Sequence, residues 1–126
     1  MYVLGGLAYY SEIDRQVKSG ERIPVNKTGR STGTTGGVIY RAERSCSYGF
    51  GYYIYYCLYT TLYSEPGDSG SPVFKTVYWY NTNIPFAAYI VGHAVASNCN
   101  PQDPLTIVEA IDAITNFGYN IVTWQG

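Results

Sequence analysis

"SEPGDSGSPVF", residues 64–74, is the stretch on which the fold of this 126-residue chain turns. Gly67 and Gly70 bracket Asp68 and Ser69, so the backbone can turn sharply there, and Pro72 with Val73 and Phe74 starts a strand that anchors the turn. A serine hydroxyl attacks a carbonyl only when a base takes its proton and donors hold the oxyanion that forms. Ser69 is the candidate nucleophile, and the N–H groups of Gly67 and Ser69 can converge as an oxyanion hole made of main chain alone. Asp68 cannot be both buried and unpaired, so a cation or several donors must hold its carboxylate. The competing reading is an ordinary connection between strands, because Gly, Asp and Ser are turn residues.

Working outward, 15 Tyr and 14 Gly favour strands joined by tight turns. With a net charge of -1 and 13% charged residues, no phosphate-binding surface is expected, and so no nucleic-acid partner. No apolar run approaches the ~20 residues of a membrane helix, and "MYVLGGLAYY" lacks the basic flank and apolar centre of a secretory signal. Neither a CxxC pair nor a His/Cys cluster occurs, so neither metal nor cofactor is expected. Cys46 and Cys57 flank "SYGFGYYIYY", which reads as a hairpin bridged across its strands and leaves Cys99 free; the alternative is three buried thiols.

Strands are predicted in "YVLGGLAYY" with a Gly-Gly kink, in the stretch after a turn at Ser19-Gly20, and in "STGTTGGVIYRAER". Pro24 places the second of these at an edge or a bulge. Three more are predicted in "GYYIYYCLYTTLY", "SPVFKTVYWY" and "FAAYIVGHAVAS". About six strands at this spacing make one all-β domain over residues 1–126, a small antiparallel barrel or sandwich. In "LTIVEAIDAITNFG" apolar residues recur at three- and four-residue steps, predicting a C-terminal α-helix over about 106–117 with Thr106 as N-cap and Gly118 as stop. "YNIVTW" reads as a short closing segment.

"SEPGDSGSPVF" resembles the nucleophile segment of chymotrypsin-fold serine endopeptidases, above all the streptogrisin branch. "KTGRSTGTTGGVI" is similar to that family's Gly-x-Thr-Thr-Gly turn, "VGHAVASNC" to its substrate-lining strand, and "LTIVEAIDAITNFGYNIV" to its closing helix and strand. The resemblance implies a six-stranded antiparallel Greek-key barrel, the second of the family's two, with the His- and Asp-bearing N-terminal barrel absent from this chain. It implies Ser69 as nucleophile, Gly67 and Ser69 as oxyanion donors and Asp68 as structural carboxylate. By the same resemblance Val95, Ala96 and Ser97 pair with a peptide or protein substrate, Thr61 and Tyr63 lie near the pocket floor, and the protein is extracellular.

The departures from that pattern bear on function. His93 follows Ser69, whereas the family's base precedes it by a whole barrel, so a hydrogen-bonded strand histidine is expected and not a Ser69–His93 dyad. Some glutamate-specific relatives hold an acidic side chain with a histidine in this strand, but His93 stands one position early and alternation turns it to the other face. Ser71 replaces a glycine, Tyr63 stands where Cys99 would find its bridging partner, and no acidic floor favours basic substrates. The expectation is the serine half of a serine endopeptidase, inactive alone and needing a partner barrel. The alternative is a catalytically inactive barrel that serves as a binding or structural module.

Overall fold

Strand β2 (Ile23–Gly29) shows how this sequence makes a barrel: Ile23, Val25 and Lys27 are buried while Pro24, Asn26 and Thr28 are exposed. Such alternation gives a strand one inward face. In the computed structural model, which describes residues 3–48, 52–78, 81–82 and 84–115, β2 lies between β3 (Gly33–Tyr48) and β5 (Pro72–Tyr78), antiparallel to both. Pro24 is therefore not on a sheet edge. It is tolerated because β5 pairs only from Val25 onward, and because Val38 opposite gives its N–H to Thr61 Oγ1 and takes the Thr61 N–H at its carbonyl.

Strand β4 (Tyr52–Thr60) pairs with β3, β6 (Pro85–Ser97) with β5, and β7 (Thr106–Ala110) with both β4 and β6. The ring β2-β3-β4-β7-β6-β5 thus closes as an antiparallel barrel. After the β2-β3-β4 meander the chain returns to lay β5 beside β2, which is a Greek-key connection. That connection, residues 61–71, carries Ser69. A seventh strand, β1 (Val3–Leu7), adds parallel to β6 outside the ring, with a register shift between Leu4 and Gly6 where the Gly-Gly kink was predicted.

Two elements differ from the sequence reading. Residues Tyr10–Lys18 form helix α1, which was not predicted; Tyr10 and Ile13 are buried, and with half-buried Val17 they keep a helical spacing that the neighbouring tyrosines masked. At the C-terminal end, Thr106–Ala110 is strand and only Ile111–Thr115 is helix (α2), so the helix starts at 111 and not at 106. Strand β7 is hydrogen-bonded on both sides and nearly all its residues are buried, so it lacks the alternation that marks a half-exposed strand. Pairing that closes the barrel outweighs local helical periodicity. Thr106 caps nothing: its hydroxyl stands 2.7 Å from the Leu62 carbonyl and 2.9 Å from Ser64 Oγ. Residues 116–117 of the predicted helix, Gly118 and "YNIVTW" lie outside the described residues.

The barrel interior is filled by Val25, Ile39, Leu58, Leu62, Val73 and Val108, each 2% exposed or less, with Ile13 of α1 packed on one end. Burial of each such side chain is worth about 1.5–3 kcal/mol. A second cluster joins Ile54, Cys57, Ala96 and Ile107 beneath the β3–β4 hairpin. Cys46 and Cys57 are bridged there, as the hairpin reading expected. In the ladder Cys46 opposes Ile54 and Cys57 opposes Glu43, so the bridge runs diagonally. Tyr56, at φ +60°, interrupts the strand's alternation between Ile54 and Cys57, which are both buried.

Candidate active site

The loop that carries Ser69 is built around the Asp68 carboxylate. Asp68 is 1% exposed and accepts from the main-chain N–H of Glu65 (3.0 Å), Ser31 (2.8 Å) and Thr32 (3.3 Å) and from the Thr32 hydroxyl (2.7 Å). Lys27, fully buried on β2, places Nζ 3.5 Å from Asp68 Oδ2 and 2.7 Å from Thr32 Oγ1. Burial pushes the carboxyl up, but the hydrogen bonds from Glu65, Thr32 and Ser31 outweigh it and hold Asp68 well below the usual carboxylate range. Both kinds of partner expected from the sequence are therefore present, a cation and several donors.

Small residues let this cage close. A side chain at Gly29 would overlap Asp68 Oδ1, and one at Gly67, whose φ is +102°, would overlap Ser31 Oγ. The loop is pinned on one side where the Ser31 hydroxyl donates to the Pro66 carbonyl (2.6 Å). On the other side the Gly70 N–H donates to Ala94 O (2.8 Å) and the Ala94 N–H to Ser71 O (2.9 Å). Between these anchors Ser69 is exposed, and neither its N–H nor that of Gly67 is donated to another described residue. Ser71, though it stands where a glycine was expected, fits: it is 7% exposed and its Oγ lies near Gly29.

Beside Ser69 is a cavity of about 250 Å³. Val95, Ala96 and Ser97 are in its lining, with Ser64, Glu65 and Pro66. Thr61 and Tyr63, expected near its floor, do not line it. Thr61 is committed to β3 through Val38, and Tyr63 takes the Thr35 hydroxyl at its carbonyl (3.2 Å) while its own hydroxyl donates to Glu65 Oε1 (2.7 Å). That hydrogen bond, with burial and the charge of Glu65 and nearby Cys99, pushes the Tyr63 phenol up to about 12. Buried Ser64 and Thr106, which sequence reading missed, supply lining instead, and Cys99 adds an exposed free thiol.

The arrangement offers a hydroxyl and unoccupied main-chain donors, but no histidine is among the described residues that line the cavity. His93 does not line the cavity; its Nε2 stands 3.0 Å from Glu109 Oε1, across the β6–β7 ladder. Among the described residues no group of His, Cys, Asp or Glu could hold a metal ion, and no helix is long and apolar enough to cross a membrane. Sequence reasoning also missed Lys27, Ser31 and Thr32. For Lys27 the signal was available, since it follows Ile23 and Val25 at the same parity and a lysine on an inward face needs a partner.

No protein-family model and no curated protein matches the chain. Solved structures do. The chain is similar to the crystal structure of Cellulomonas bogoriensis chymotrypsin, at 22% identity and a TM-score of 0.62, over 81% of this chain and 50% of that one. It is also similar to Thermobifida fusca protease A, at 19% identity and a TM-score of 0.67, over 98% of this chain and 56% of that one. The fold is that of the chymotrypsin-like proteases, and the chain spans about half the length of each of these two.

Proposed function

We propose that this chain is the serine-bearing, C-terminal barrel of a secreted serine endopeptidase of the streptogrisin-like branch. The observation that carries the reading is the buried, five-donor anchorage of Asp68, which presents exposed Ser69 between unengaged Gly67 and Ser69 N–H groups beside a cavity. A turn that merely joined two strands would not need a buried carboxylate held this way. In the reaction Ser69 Oγ attacks the scissile carbonyl, the two N–H groups hold the oxyanion, and Val95–Ser97 align the substrate backbone. A histidine and an aspartate on an N-terminal barrel take and stabilise the proton. With Pro66, Ala94, Val95 and Ala96 in its lining, the cavity favours an apolar or aromatic side chain.

In the second reading the chain is an inactive barrel that binds or builds, with no partner barrel to supply a base, because His93 is bonded to Glu109 and lies off the cavity. Losing the histidine of a triad costs about 10⁶ in turnover. The experiment is the intact mass of the native protein before and after a fluorophosphonate, with Ser69→Ala beside it. A longer or two-chain species that gains one adduct, lost in Ser69→Ala, supports the protease. A 14.0 kDa species that stays unlabelled sinks it and leaves the binding module.

A further inference from the structure

Strand β5 leaves the Ser69 loop at Pro72, and further along it Lys75 and Val77, with Leu7, Ala8, Ile13 and Tyr89, line a second cavity of about 330 Å³. Lys75 pairs with Val25 of β2 and with Tyr89 of β6. Directly opposed residues project from the same face of a sheet, and Val25 is 2% exposed, so Lys75 points into the barrel. It differs from Lys27, the other inward lysine, which is met by Thr32 and Asp68. Lys75 is half-buried as a residue, and no acceptor among the described residues meets its ammonium. Glu12, at the rim, is 64% exposed and turned to Arg15.

We infer that this cavity binds a small monocarboxylate with an apolar or aromatic body. The carboxylate meets the Lys75 ammonium in a charge-assisted hydrogen bond, and the body lies against Leu7, Ile13, Val77 and the Tyr89 ring. Ligand sites of about 300–1,000 Å³ are commonly apolar with a few polar groups that fix orientation, which describes this lining. A neutral ligand would gain no charge-assisted bond from the ammonium. A second carboxylate would face Glu12, and a phosphate would place its oxygens against aliphatic walls. The site is separate from Ser69, so its failure would leave the protease reading untouched.

The test is a titration of the full chain with octanoate, followed by amide resonances. Saturable shifts are expected at Leu7, Ala8 and Tyr89, with affinity at least tenfold weaker in Lys75→Met and with 1-octanol binding alike in both proteins. N-acetyl-leucyl-leucine with a free carboxyl, run alongside, separates a peptide C-terminus from a free acid as the source: whichever saturates at lower concentration is the better mimic. If Lys75→Met does not fold, Ala8→Trp must abolish the shifts by filling the cavity. Shifts that do not saturate for either acid, that fall elsewhere, or that persist unweakened in these variants overturn the inference.

Discussion

Lys27 Nζ stands 3.5 Å from Asp68 Oδ2 with both side chains withdrawn from solvent, one on a barrel strand and the other on the loop beside Ser69. The pair joins the hydrophobic interior to the candidate catalytic loop. Removing one partner of a buried pair leaves an uncompensated charge, at a cost of 3–5 kcal/mol in typical cases. Because four other donors remain on Asp68, Lys27→Met is expected at the lower end, about 3 kcal/mol by urea unfolding. Lys27→Met combined with Asp68→Asn should recover part of that loss. A single-variant cost below about 1 kcal/mol would show that the loop's N–H and hydroxyl donors hold the carboxylate unaided.

The depressed Asp68 carboxyl also fixes a pH dependence. Its folded value lies below the unfolded one of about 3.9, so the stability it contributes is complete above that value and is lost as pH falls further. The stability difference between wild type and Asp68→Asn is therefore expected to be constant from about pH 5 to 7 and to shrink below about pH 4. Any contribution of the His93–Glu109 pair is common to both proteins and cancels. Parallel curves down to pH 2.5 would contradict the assignment.

The Cys46–Cys57 bridge closes a short loop, with a sequence separation of 11. The chain-entropy relation gives about 3 kcal/mol for a loop of this size. Unfolding with and without reductant should differ by about that amount, and thiol titration of the unfolded protein should find one reactive group before reduction and three after. One thiol before reduction with an unchanged midpoint after it would mean that the hairpin is held by the Ile54–Ile107–Ala96 cluster instead.

What the sequence disclosed and what it hid follow from the range of the interactions involved. The Ser69 loop was legible because Gly67, Asp68 and Gly70 act within a few residues of each other. Strands with one exposed face, such as β2, announce themselves by alternation. Strand β7 does not, because pairing on both sides removes the polar face, and its apolar residues then fit helical spacing as well. The Asp68 cage depends on Ser31 and Thr32, 37 and 36 positions away, and the cavity on Thr106, joined to Ser64 over 42. Contacts of that separation leave no local pattern.

Gly29 offers the sharpest test of how tightly the loop is seated. A Cβ there would overlap Asp68 Oδ1 and lie 2.8 Å from both Asp68 Cγ and Ser71 Oγ, so Gly29→Ala must displace the carboxylate. Overpacking of this kind costs about 1–3 kcal/mol. Gly33 is the control: its φ of +66° makes an alanine strained, by about 1–2 kcal/mol, yet no atom stands within 4 Å of its Cβ position. Both substitutions should lower stability, but only Gly29→Ala should shift the amide resonance of Glu65, which is distant in sequence from both sites and gives its N–H to Asp68. If Gly29→Ala leaves that resonance in place, the carboxylate is not packed against β2, and the anchorage inferred for Ser69 fails with it.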